Sequence, residues 1–408
     1  MKHTDYSAKV LHKPFEKRDP YNSLSMPVYN TAAYEFNTAE EMEEAFCGRT
    51  SEHVYSRLTN PTVQYFEQRV QEITGALSVT ALNSGMAAIS NAIMTLAWSG
   101  SNIVTSPHLF GNTYSFFYST LADFGVEVRF CDMTNIDEVR KFIDKNTAAL
   151  FLEIITNPQL EVADLKALSA VARSSKIPLV ADTTAVPFHI FSSREFGVDI
   201  EIVSSTKYIS GGATSLGGLI IDYGTADFSS SPKLRRVAIS KEAFTYKLKK
   251  EVMRNFGAYM TPQVAYMQTL GLETLEVRFD KEASTTLELA ERLSSLKGIE
   301  SVNYTGLKSS SFYAISLRQF GSKPCAFLTF DLPSKEKAFS LINNLKLIRR
   351  ATNLFDNKTL AIHPATTIFG TFTDEQRAMM NISQKSIRLS VGLENAETLY
   401  EDIRQSLN

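Results

Sequence analysis

An α/β fold with one large, mostly parallel sheet and a smaller C-terminal α/β domain is what the sequence predicts. Two patterns carry that expectation. From about residue 63, short β-rich runs alternate with helical stretches, the order expected of a parallel sheet covered on both faces. After about residue 232, longer helical stretches take over and strand candidates become sparse, so a second unit closes the chain.

The elements follow in order. Residues 1–55 alternate turn signals, Asp19-Pro20 and Met26-Pro27, with aromatics and hold no sustained period, so they are expected to form an extended arm. Residues 56–240 carry the β runs SVTAL, NIVT, VEVRF, AALFLEII, PLVAD, DIEIVS and GGLIID. Helical stretches such as MAAISNAIMTLAW, IDEVRKFI and DLKALSAVARSS lie between them. Residues 241–408 continue a basic, helix-rich stretch that begins at LRRVAISKEAF, which reads as a solvated helix face. That segment then holds the strands CAFLTFDL and SIRLSV beside the helices SKEKAFSLINNL and NAETLYEDIRQSL.

Composition excludes several classes. With 44% hydrophobic and 21% charged residues the chain is ordinary for a folded protein. A formal charge of −2 offers no electrostatic footprint for nucleic acid or an anionic membrane. Apolar runs such as AALFLEII fall well short of the ~18 residues that span a bilayer. Cys47, Cys131 and Cys325 match neither a zinc spacing nor a disulfide framework. A soluble, cytoplasmic protein without a bound metal is expected.

In an open parallel sheet, ligands sit at the carboxyl ends of the strands. The residues just after each strand form a coherent set. After SVTAL comes Ser84-Gly85-Met86-Ala87-Ala88, a helix start whose free N–H groups suit an anion. AALFLEII is followed by Asn157-Pro158, PLVAD ends in Asp182 with Thr184 close behind, and DIEIVS leads through Ser204 and Thr206 to Lys207. Each feature alone is compatible with a cap or a turn. Together they supply a phosphate cradle, an acidic partner for a pyridinium and an amine for a Schiff base, the three groups that hold pyridoxal phosphate (PLP). Arg57 in VYSRLTNPTVQYFEQRV adds a planar fork suited to the phosphate, with Tyr55 beside it. Ser204 to Lys207 also satisfies the Ser-x-x-Lys pattern of acylating serine enzymes, but no Lys-Thr-Gly follows.

These residues, with Asn60-Pro61-Thr62 and RLSVGLE from Arg388, resemble the Cys/Met-metabolism PLP enzymes. That family includes cystathionine synthases and lyases, methionine γ-lyase and O-acylhomoserine sulfhydrylases. The likeness runs collinearly from about residue 25 to the C-terminus. It implies PLP fold type I and a homotetramer built from tight dimers, in which Tyr55 and Arg57 reach the phosphate of a neighbouring subunit's cofactor. It also implies that Lys207 forms the Schiff base and shuttles protons. By the same likeness Asp182 binds the ring nitrogen, Arg388 holds the substrate carboxylate, and Asn157 and Thr359 help to place substrate and cofactor. Gly85, Met86, Phe110, Thr184, Ser204 and Thr206 complete the cofactor set, with Phe110 keeping the ring stacking, and Tyr55 is expected to be catalytic beside Lys207.

Within the family, GATSLGG after Lys207 and IHPATT at 362–367 are most similar to the sulfhydrylase branch. The implied reaction is replacement at Cγ of an O-acylhomoserine by sulfide or a thiol. Methionine γ-lyase or a cystathionine γ-synthase or lyase is the alternative on the same site, and a cofactor-bearing protein without turnover is a further one. The chain departs from the family at Phe110, where a tyrosine usually stacks on the cofactor and gives a proton to the leaving group. Thr183, Gly212 and Ile368-Phe369 also replace the residues usual at those positions.

Overall fold

The computed structural model describes residues 6–12, 19–237 and 240–407. Seven strands form the larger sheet: β1 (Ser78–Leu82), β2 (Asn102–Thr105), β3 (Glu127–Phe130), β4 (Thr147–Glu153), β5 (Leu179–Asp182), β6 (Ile200–Val203) and β7 (Gly218–Asp222). Their order is β1-β7-β6-β5-β4-β2-β3. Strands β2 to β6 pair in parallel, whereas β7 runs antiparallel to both β1 and β6.

The continuous apolar run that identifies β4 is buried at every position, as a strand covered on both faces requires. Its side chains alternate between two cores. Leu150 and Leu152 join the cluster that continues into the C-terminal region through Phe327 and Leu389. Ala149 and Phe151 join the other, packed with Ile89 and Ile93 of the helix Gly85–Leu96. On the first face, the helix Pro61–Thr74 starts at an Asn60 cap with proline in its first turn. It stops at Gly75, whose φ of 65° is left-handed.

A second sheet is formed by β8 (Ser301–Asn303), β9 (Phe327–Asp331), β10 (Arg349–Arg350), β11 (Leu360–Ile362) and β12 (Ser386–Ser390), in the order β10-β11-β12-β9-β8. β12 lies antiparallel between β9 and β11, which sets Arg388 opposite Thr329 and Ile362. Only β9 and β12 were expected. The other three are two or three residues long, too short to show a period. Part of the expected arm lies outside the described residues. Within the rest, two helices replace extended chain: Tyr6–His12, which buries Tyr6 and Val10 in the main core, and Ala39–Phe46, which Thr38 caps by accepting from the Glu41 N–H.

No helix among the described residues is long and apolar enough to cross a membrane. Cys131 and Cys325 are buried free thiols and Cys47 is exposed.

The helix Pro262–Glu273 closes on the turn after β6 through Gly271, where a Cβ would lie 1.8 Å from the Ile209 carbonyl oxygen. Gly271→Ala is therefore expected to destabilise the protein by about 1–3 kcal/mol, the usual cost of overpacking. A lowered thermal unfolding midpoint would register it. An unchanged midpoint would mean that the helix yields freely at this contact.

Candidate active site

A cavity of about 630 Å³ opens at the carboxyl ends of β4, β5 and β6, where they meet β12 and the loop around Asn353. Lys207, Asp182, Asn157, Arg388, Phe110, Gly85, Met86, Thr184, Ser204 and Thr206 all line it.

Lys207 follows β6 in a tight turn. Its N–H donates to the Ser204 carbonyl (3.1 Å) and its own carbonyl accepts from the Ser210 N–H (3.2 Å). The hydroxyls of Ser210 and Thr214 donate to the carbonyls of Thr206 and Ser210, each at 2.7 Å. Gly211 and Gly212 turn the chain with φ of 73° and 121°, conformations that favour glycine. Behind the turn, the Tyr208 ring stacks on Phe355 at 3.8 Å, while Arg278 donates to the Tyr208 and Gly271 carbonyls. The small residues after Lys207 thus serve a turn braced from several sides. Lys207 Nζ donates to Asn353 Oδ1 at 2.9 Å. Burial pulls its pKa down to about 8, assisted by the Arg388 charge and opposed by Asp182 and Asp356. Ser204 directly follows a strand instead of opening a helix, and the lysine faces Asn353, so the acylating-serine arrangement is not formed.

One wall is an anion cradle. Ser84 caps the helix Gly85–Leu96 by accepting from the Ala87 N–H (3.1 Å), leaving the first N–H groups, those of Gly85 and Met86, at the cavity. A Cβ on Gly85 would lie 2.7 Å from Ser204 Cβ, so glycine lets the helix start approach the end of β6. Thr184 Oγ1 accepts the Ser204 N–H (2.8 Å). The Thr206 hydroxyl both donates to and accepts from the Gly217 backbone. Both threonines therefore brace the cradle.

Asp182 ends β5 and lies in register with Glu153 at the end of β4. Burial raises the pKa of Asp182, and its Oδ1 accepts the Thr184 N–H (3.0 Å). Burial also raises that of Glu153, with the neighbouring Asp182 charge adding to the effect. Glu153 Oε1 accepts the Phe110 N–H at 2.6 Å and so fixes the loop that carries the aromatic ring.

Arg388 is 2% exposed. Its guanidinium donates to Asn157 Oδ1 (3.2 Å) and to the carbonyls of Thr352 (3.1 Å) and Asn353 (3.2 Å), all neutral acceptors. Nε has no partner, and burial lowers the group's pKa. Among the described residues this buried cation has no counter-ion, and at a cavity wall it is suited to an incoming carboxylate.

Three expected residues lie elsewhere. Thr359 is not on the cavity wall. Its hydroxyl donates to Glu394 Oε2 (2.7 Å) and accepts the Gly392 N–H (2.9 Å), so it ties down the strand end after Arg388. Arg57 donates to the Arg254 carbonyl (2.7 Å) outside the cavity, and Tyr55 is 43% exposed. Sequence reasoning missed Glu153, although it precedes Asn157 on a strand already identified. It also missed Asn353, which no periodic pattern marks.

The profile of the Cys/Met metabolism PLP-dependent enzymes matches residues 7–408. An O-acetylhomoserine sulfhydrylase structure from Wolinella succinogenes is 46% identical, covering 86% of this chain and 98% of that one, with a TM-score of 0.76. The L-methionine gamma-lyase of Fusobacterium nucleatum subsp. nucleatum is 33% identical over 100% of this chain and 99% of its own. A crystal structure from Campylobacter jejuni reaches a TM-score of 0.92 at 31% identity, over 98% and 99% of the two chains, and contains N'-pyridoxyl-lysine-5'-monophosphate.

Proposed function

The chain belongs to the Cys/Met metabolism PLP-dependent enzymes, and we propose that its cavity replaces the γ-substituent of O-acetylhomoserine, or another O-acylhomoserine, with sulfide or a thiol. Homocysteine or methionine and a free carboxylate are the products. The observation that carries the reading is the convergence of an amine, a half-buried acid and a buried guanidinium held only by neutral acceptors on one cavity whose aromatic wall, Phe110, has no proton to give.

The residues fit the cofactor by their chemistry: free helix N–H groups for its phosphate, and Asp182 for its ring nitrogen. When bound, PLP supplies an electron sink that stabilises negative charge on substrate carbon. Lys207 Nζ would hold the cofactor's aldehyde, and as a free amine it would move protons between substrate carbons. A pKa near 8 leaves part of it neutral at physiological pH. Asp182 would keep the proton on the ring nitrogen, because a carboxylate beside a cation favours the charged form. Gly85, Met86 and Ser204 would take the phosphate, and Thr206, whose hydroxyl now pairs with Gly217, would brace that end of the cradle. Arg388 and Asn157 orient the substrate through its carboxylate.

Tyr55 and Arg57 act in a neighbouring copy's cavity, within a homotetramer to which the 1–55 arm contributes. Support comes from their place outside this cavity and from exposed apolar side chains, among them Leu24, Phe46 and Leu216 at the cavity mouth. We place the enzyme in the cytoplasm.

Phe110 separates replacement from C–S cleavage. A carboxylate leaves with little acid assistance, whereas a thiolate is the conjugate base of a much weaker acid, with a pKa of about 8.5 against about 4. A phenylalanine wall therefore favours acyl-activated homoserine over methionine or cystathionine. Phe110→Tyr is expected to raise elimination from methionine by about 10²-fold or more, the range of a positioned acid. A variant that gains no elimination would remove this explanation. The function itself is tested by release of homocysteine in step with acetate from O-acetylhomoserine and sulfide, with O-succinylhomoserine and methanethiol run alongside to fix acyl group and thiol.

A further inference from the structure

Asp356 is buried and off the cavity wall, yet a single side chain connects it to Lys207. Lys207 Nζ donates to Asn353 Oδ1 (2.9 Å), and Asn353 Nδ2 donates to Asp356 Oδ2 (3.2 Å). A carboxylate can only accept, so it draws the NH₂ end of the amide and leaves the oxygen facing the amine. With a neutral partner in its place the amide could turn over and set N–H against N–H. Asp356 is fixed in turn, its Oδ1 accepting the Lys358 N–H (3.1 Å). The backbone of the same segment accepts from Arg388 at Thr352 and Asn353. One short stretch of chain therefore holds both cations of the cavity, one by a side chain and the other by carbonyls.

We propose that Asp356 is a positioning residue for Lys207, acting through the Asn353 amide, and that it keeps the free amine in register with Arg388 for proton transfer. The proposal rests on the reading of Lys207 as the cofactor-holding amine. Misplacing a reacting group by about 1 Å can cost about 10²-fold in rate, so loss of this link is expected to act on kcat.

Three charged groups bear on Lys207: Arg388 from β12 lowers its pKa, while Asp182 from β5 and Asp356 from the loop before β11 raise it. Asp356→Asn removes one raising charge and frees the amide. Asn353→Ala cuts the link but keeps the Asp356–Lys358 turn, so it serves even if the first variant folds poorly.

The test has two parts: kcat and KM of each holoenzyme, and the pH dependence of pyridoxal 5'-phosphate uptake by cofactor-stripped protein. Wild type should take up cofactor with a midpoint near 8, and Asp356→Asn should shift that midpoint downward. Each single variant should lose about tenfold in kcat with KM within about twofold, and the double variant should fall no lower than Asn353→Ala, as for residues acting as one unit. Multiplying losses, an unmoved midpoint or a kcat within about twofold of wild type would overturn the proposal. Cofactor uptake through a Schiff base in Lys207→Ala would instead overturn the reading beneath it.

Discussion

Lys207→Ala is expected to lose the visible absorption of lysine-bound cofactor and to lower kcat by about 10⁴ or more, the upper range for one positioned proton-transfer group. The cavity contains no substitute. Arg388 is a cation without a free base, and Asp182 and Glu153 are carboxyl groups at the strand ends, the first half-buried and the second buried. The environment of Lys207 is specific as well. With a pKa of about 8, about a tenth of the amine is neutral at pH 7, compared with about one part in 3,000 for an ordinary lysine. Absorption spectra and single-turnover rates check both effects. Retained absorption and turnover would assign the chemistry to another group.

Arg388→Ala should raise KM for the amino-acid substrate by about 30-fold to several thousand-fold. Removing one partner of a buried hydrogen-bonded charge pair costs about 2–5 kcal/mol, and each 1.4 kcal/mol is about tenfold. The deletion also strands Asn157 Oδ1 and the carbonyls of Thr352 and Asn353, which now accept from the guanidinium. Arg388→Lys should recover little, since an ammonium cannot reproduce the planar fork. KM for sulfide should be nearly unchanged. A similar rise for both substrates would indicate collapse of the cavity wall, and no rise would remove Arg388 from substrate binding.

The parts of the site that the sequence disclosed sit at the ends of long, periodic strands. Asp182, Asn157 and Lys207 follow runs whose burial is nearly complete, and the rule that ligands gather at strand ends then places them together. Arg388 lay in a recognisable motif, but its contact with Asn157 depends on how the second sheet docks, which no local pattern encodes. Thr359 shows the opposite limit: a family likeness fixes a residue's place in the chain without fixing where its side chain turns, and this one turns to Glu394. Asn353 and Asp356 lie between β10 and β11, strands of two and three residues. Their importance emerges only once the lysine, the amide and the carboxylate are seen in line.

The most direct measurement of the central claim compares two activities of one holoenzyme preparation: homocysteine formation from O-acetylhomoserine with sulfide, and α-keto acid plus ammonia from L-methionine alone. The predicted result is a kcat/KM for replacement that far exceeds elimination, with acetate and homocysteine released one for one. Efficient α-keto acid formation from methionine, without homocysteine from O-acetylhomoserine and sulfide, would contradict it and make the protein a lyase.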